Sequence, residues 1–179
     1  AALLVLVLLL GACGAEDLPK PQGSPLRDIA KLPSSSATNE VVPTTSQGRL
    51  PAGARPTAYL LRFDFTKKDS FVGEARVSLR IPDASRFIVM HAKGLTFESI
   101  AVTQGSKTVS GHVVRNDDTQ GDVTLRFDEP LVQGEGSLAI TYRAPFGADL
   151  EGIYRANDGA TSAVFSQFEP TNARRAFPC

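Results

Sequence analysis

The sequence predicts an all-β domain built as an antiparallel β-sandwich. Three observations carry that expectation. Apolar and polar residues alternate at period two through a series of short runs. Clusters of Gly, Pro, Asn and Asp separate those runs at short intervals. No window carries the 3.6-residue apolar stripe of a long amphipathic helix.

Two segments of a different character precede the first strand. Ala1 to Leu10 is an uncharged apolar run, followed by Gly11, Ala12 and Cys13. A membrane-crossing helix needs about 20 apolar residues, and this run is too short. It matches the apolar stretch of a secretory signal peptide, with small residues where a signal peptidase would cut. The basic stretch that opens such a peptide is missing, so residues 1–12 are expected to be a truncated signal. Leu10-Gly11-Ala12-Cys13 resembles a bacterial lipobox, which makes Cys13 the candidate lipidation site. Its thiol can carry a diacylglyceryl thioether, and each buried methylene contributes about 0.8 kcal/mol of membrane affinity. Residues 13–48 are rich in Pro, Ser, Thr and Gly, and their few apolar residues have no period. Such a stretch buries too little to offset its ordering entropy and is expected to be a disordered tether.

The strands begin after Arg49. In "TAYLLRFDF", Tyr59, Leu61, Phe63 and Phe65 share one face while Arg62 and Asp64 point away. "KKDS" then supplies a turn. "FVGEARVSLRI" is the cleanest strand: Phe71, Gly73, Ala75, Val77, Leu79 and Ile81 alternate with Val72, Glu74, Arg76, Ser78 and Arg80. That is the pattern of an antiparallel strand with one buried face. Further strands are expected at Arg86–His91, Leu95–Val102, Thr108–Val114, Val123–Phe127, Ser137–Tyr142 and Ala163–Phe168. "FDEP" at Phe127–Pro130 is expected to end a strand in a turn. His91 shares a parity with Phe87 and Val89 and is expected to be a satisfied core residue, with His112 exposed.

The chemistry available to the chain alone is sparse. Of 179 residues, 42% are hydrophobic and 21% charged, with 19 Lys+Arg against 19 Asp+Glu and a net charge of zero. No basic block is present, which argues against nucleic acid as a partner. The two cysteines lie at opposite ends and the two histidines stand apart, so no disulfide framework or metal cluster is readable. No G-x-S-x-G, phosphate loop or H-E-x-x-H occurs. Asp128 and Glu129 are neighbours on a strand and would not converge as an acid/base pair. No catalytic residue and no metal ligand is therefore expected within this chain.

"SQFEPTNARRAFPC" changes the functional expectation. It resembles a motif of the aminopeptidase N family of zinc metallopeptidases, T-Q-F-E-P-T-D-A-R-R-A-F-P-C, with Ser166 in place of Thr and Asn172 in place of Asp. "LPAGARPTAYLLRFDF", "FVGEARVSLRI", "FIVMHAKGLTFESIAV" and "LAITYRAPFGADLEGIYRA" resemble further family segments in the family's order. The resemblance runs from about Arg49 to Cys179. It implies that residues 49–179 are a saddle-shaped amino-terminal β domain, followed in the parent by a thermolysin-like catalytic domain that binds zinc. It also implies that Glu169 binds the free α-ammonium group of a peptide substrate while Gln167 lines the pocket for the first side chain. Read by itself, Glu169 would be a solvated surface residue. Arg174 and Arg175 are expected in structural ion pairs, and Cys179 as a buried thiol. The resulting expectation is the substrate-anchoring domain of a zinc aminopeptidase, exported and lipid-anchored to a bacterial membrane through Cys13. The competing expectation is a non-catalytic, lipid-anchored β-sandwich that binds a partner.

Overall fold

The computed structural model describes residues 3–9, 40–159 and 161–179, the first of these as backbone only. Cys13 and the expected tether as far as residue 39 lie outside the described residues. Ten strands and one short 3₁₀ turn are present. They are β1 (Leu3–Leu9), β2 (Arg55–Asp64), β3 (Ser70–Ile81), β4 (Ser85–His91), β5 (Thr96–Gln104), β6 (Lys107–Asp117), β7 (Asp122–Leu131), β8 (Gly134–Pro145), β9 (Gly152–Asp158) and β10 (Thr161–Gln167), followed by the turn Asn172–Arg175. The all-β expectation holds. Among the described residues no helix is long and apolar enough to cross a membrane.

The first eight strands form one antiparallel sheet in the order β1-β2-β3-β8-β5-β6-β7-β4. The run expected as a signal-peptide core lies along the edge of β2, from Leu3↔Asp64 to Leu9↔Ala58. An open sheet edge offers unpaired N–H and C=O groups that an extended apolar run can take up. Strand β6 changes partner partway: Lys107–Ser110 pair with β5, and Gly111–Asp117 pair with β7. That switch lets one continuous sheet curl over its own core. The residue at the switch is a glycine for a steric reason, since a Cβ on Gly111 would lie 2.8 Å from the Phe127 ring.

The core follows the period-two pattern of β2 and β3. Leu61, Phe63, Phe71, Ala75, Val77, Leu79 and Ile81 are buried, and Phe127, Leu138 and Tyr142 close over them. Phe63, Phe65, Phe71 and Phe146 form an aromatic cluster with centroids about 6 Å apart, within the range for favourable edge and offset contacts. The core's edge reaches upstream of Arg49. Thr124 donates its hydroxyl proton to the Pro43 carbonyl at 3.0 Å, and Thr45 donates to the Asp122 carboxylate at 2.5 Å. The Asp122 side chain is fully buried and also meets Arg115 at 3.0 Å. Burial pushes its pKa up, but the bonds from Thr45 and Arg115 outweigh that and hold it below the ordinary value.

The structure departs from three expectations. In β4 the buried face is Ile88 and Met90, while Phe87, Val89 and His91 are half-buried. The strand is the outermost of the sheet, so period two does not tell which of its faces meets the core. His91 is not satisfied: its Nδ1 is buried without a hydrogen-bond partner. Strand β7 runs through "FDEP" to Leu131. Asp128 faces His112 at 3.7 Å and Glu129 accepts from Lys107 at 2.6 Å, so the neighbouring β6 holds this segment extended. Pro130 falls past the last β6 pair, Gly111↔Phe127, where no ladder donor is needed on that side.

Candidate functional site

Strands β9 and β10 form a separate two-stranded hairpin in register from Thr161↔Asp158 to Gln167↔Gly152. Period-two reading missed β9, because only its first two residues are buried. Arg155 fastens the hairpin to the main sheet. Its guanidinium donates to the Phe65 and Lys67 carbonyls at 3.0 and 3.2 Å and to Ser162 at 3.1 Å, and it lies 4.6 Å from the centre of the Phe146 ring.

Past Gln167 the chain leaves the hairpin and runs into the core. Phe168 packs edge-on against Phe177 at 5.9 Å, and Ala176, Phe177 and Pro178 are buried. A chain entering a core carries polar backbone groups that need partners. The Tyr142 hydroxyl donates to the Ala176 carbonyl at 2.8 Å. The Lys93 N–H donates to the Arg174 carbonyl at 2.8 Å. His91 and Cys179 exchange both backbone bonds, at 2.6 and 2.9 Å. Of the two expected ion-pair residues, Arg175 meets Glu151 at 3.0 Å. Arg174 instead donates to the Thr171 and Gln120 carbonyls, each at 3.1 Å. Cys179 is a free thiol, half-buried, with its pKa pushed up by burial.

This docking sets the two residues singled out from the sequence. Gln167 and Glu169 are both exposed. Strand parity does not bring them together, because β10 ends at Gln167. A hydrogen bond does: the Glu169 N–H donates to Gln167 Oε1 at 3.1 Å. On the other side, Asn172 Nδ2 donates to the Glu169 carbonyl at 3.1 Å. Among the described residues the Glu169 carboxylate makes no ion pair. Asn172 was not singled out from the sequence, although its departure from the motif's Asp was the available signal. Tyr142 carried a second signal in Gly73, its partner across β3 and β8.

The arrangement can bind a cation but supplies no metal site. Among the described residues no group of three or more His, Cys, Asp or Glu converges. What it offers is an accessible carboxylate at the end of a hairpin, on a backbone held from both sides.

The family described as the peptidase M1 N-terminal domain matches residues 55–179. Aminopeptidase M1-A of Oryza sativa subsp. japonica is 31% identical over 147 residues, covering 74% of this chain and 16% of the relative. The thyrotropin-releasing hormone-degrading ectoenzyme of Mus musculus is 30% identical over 166 residues, covering 88% of this chain and 15% of the relative. The puromycin-sensitive aminopeptidase of Caenorhabditis elegans is 28% identical over 138 residues, covering 73% of this chain and 15% of the relative. The chain thus spans about a sixth of the length of these relatives.

Proposed function

We propose, from the premise that this chain belongs to the peptidase M1 family through its amino-terminal domain, that it supplies the anchor for a peptide's free amino terminus in an aminopeptidase. The observation that carries this reading is the exposed Glu169 carboxylate, which no cation neutralises among the described residues and whose own backbone is fixed by Gln167 and Asn172. An α-amino group has a pKa of about 8 and is mostly charged at neutral pH. A carboxylate gives it a charge-assisted hydrogen bond, and recognition of the chain terminus restricts removal to one residue at a time. Gln167, beside it, would line the pocket for the first side chain.

Hydrolysis is assigned to the longer parent, through zinc held by a downstream catalytic domain. A catalytic zinc takes three protein ligands, and the described residues supply no such set. No hydrolytic step is therefore derived from this chain. The apolar run ending in Leu10-Gly11-Ala12-Cys13 supports export and lipid anchoring at a bacterial membrane, and Cys13→Ser should release the exported protein from the membrane fraction.

The test of the anchor is Glu169→Gln in the full-length enzyme, assayed on an aminoacyl anilide and on its des-amino analogue. A hydrogen bond to a charged group contributes about 1.5–3 kcal/mol, so kcat/KM on the amino substrate should fall about ten- to hundredfold. The slow reaction of the des-amino analogue should not change. Equal losses on both substrates would reject the anchor, and a parent that binds peptides without cleaving them would establish the scaffold reading.

A further inference from the structure

We infer that Gln167 and Asn172 are positioning residues, a pair of side-chain amides that hold the Glu169 main chain at its N–H and at its C=O and so set where its carboxylate stands. The part of this inference that concerns catalysis rests on the proposed anchoring role of Glu169; the clamp itself does not.

Glu169 lies between the last residue of β10 and the 3₁₀ turn, where neither strand ladder nor helix can satisfy its main chain. Its N–H and C=O still need partners, and both come from side chains. The N–H donates to Gln167 Oε1 at 3.1 Å, from two residues upstream. The C=O accepts from Asn172 Nδ2 at 3.1 Å, from three residues downstream. The partner in each case decides which way the amide faces. An N–H only donates, so the oxygen of Gln167 must face it; a carbonyl only accepts, so the nitrogen of Asn172 must face it.

Both clamping residues are themselves fixed. Gln167 is held in the hairpin opposite Gly152. The Asn172 N–H donates to the Phe168 carbonyl at 2.7 Å, and two residues on the Arg174 carbonyl accepts from the Lys93 N–H. The clamp therefore transmits the rigidity of the hairpin and of the docked tail to the main chain of one residue, and leaves the carboxylate itself uncommitted. Gln167 Oε1 is already in use, so only the Nε2 group of Gln167 remains to face a substrate.

The two amides respond to different substitutions. Gln167→Glu keeps an acceptor for the Glu169 N–H, whereas Gln167→Leu removes it. Asn172→Ala removes the donor without adding a charge. The first readout is amide hydrogen exchange at Glu169, followed by NMR on the 179-residue chain. Exchange should be about tenfold faster in Gln167→Leu and within about twofold of the parent rate in Gln167→Glu. The second readout is kinetics in the full-length enzyme. Asn172→Ala should lower kcat/KM about tenfold on amino substrates, mainly through KM, and leave the des-amino analogue unchanged. Equal exchange in the Leu and Glu variants, or no acceleration in Gln167→Leu, overturns the clamp. If Glu169→Gln has no kinetic effect, the anchor reading fails, and the exchange result still decides the clamp.

Discussion

Gly73→Ala should be among the most destabilising single-methyl additions this domain can receive. Gly73 sits opposite Tyr142 across β3 and β8, and the tyrosine ring crosses directly over it. A Cβ at residue 73 would lie 2.1 Å from Tyr142 Cζ, 2.4 Å from its hydroxyl oxygen and 2.5 Å from Cε2. Carbon atoms in contact stand about 3.5–4.0 Å apart, so the ring would have to retreat by more than an ångström, roughly. It has nowhere to go, being fully buried and hydrogen-bonded to the Ala176 carbonyl at 2.8 Å. Overpacking costs about 1–3 kcal/mol, and losing the Ala176 bond leaves a buried carbonyl unpaired for about 1–3 kcal/mol more. The combined loss should be about 3 kcal/mol or greater, a fall of about 1.5 M in the urea midpoint for a domain of this size. Urea unfolding followed by circular dichroism reads it directly. The cycle partner is Tyr142→Leu: in that background Gly73→Ala should cost under about 1 kcal/mol, because the blocking ring is gone. A midpoint shift under about 0.5 M for Gly73→Ala alone would refute the steric argument.

Two further predictions concern protonation. Burial, and then the Arg174 guanidinium, hold the His91 imidazole below its ordinary pKa, so the unfolded chain binds a proton more readily than the folded one. Stability should therefore be full above about pH 6.5 and decline as pH falls below it towards the lower folded pKa, and His91→Gln should flatten that part of the profile in urea titrations from pH 5 to 8. A wild-type profile that parallels the variant's would exclude His91 as the source. Asp122 has the same sign at lower pH. Its folded pKa is held down by Thr45 and Arg115, so its contribution is present above about pH 3.9 and is lost as pH falls through the lower folded value. Asp122→Asn breaks a pair in which the carboxylate is fully buried and Arg115 is 27% exposed, and should cost about 2–3 kcal/mol at pH 7. A loss under about 0.5 kcal/mol would mean that the pair is no stronger than a surface one.

The sequence made the strands legible where one face meets the core and the other meets water. β3 and the part of β2 from Tyr59 to Asp64 satisfy that condition, and there the alternation matched burial residue by residue. β4 does not: all of its residues are at least half-buried, so the alternation named the wrong face. β9 fails for a related reason, since a two-stranded hairpin pinned by one arginine needs few apolar side chains. The same limit applies to the site. The motif drew attention to Gln167 and Glu169 but not to what links them, and the strand stops before Glu169 is reached. Their actual link is a side-chain amide bonding to the main chain. Such a bond depends on how a turn closes, which residue types permit and do not dictate.

An anchoring carboxylate must meet two demands that usually conflict. It has to be fixed in place, and it has to keep its charge for the ligand. The commonest way to fix an acidic side chain is an ion pair, as Glu151 makes with Arg175 at 3.0 Å, but that pairing consumes the charge. At Glu169 the chain fixes the backbone in place of the side chain. The tail beyond it is drawn into the core by the Tyr142 hydroxyl and by the reciprocal bonds of His91 with Cys179. Two neutral amides then carry that rigidity to the Glu169 main chain without adding a counter-ion. A lysine placed at residue 172 would test the trade-off. It would set a cation beside the carboxylate, so an acceptor of ammonium groups should become self-neutralised and lose affinity for amino substrates while the fold persists. Unchanged KM in Asn172→Lys would mean that the carboxylate's free charge is not what the turn is built to preserve.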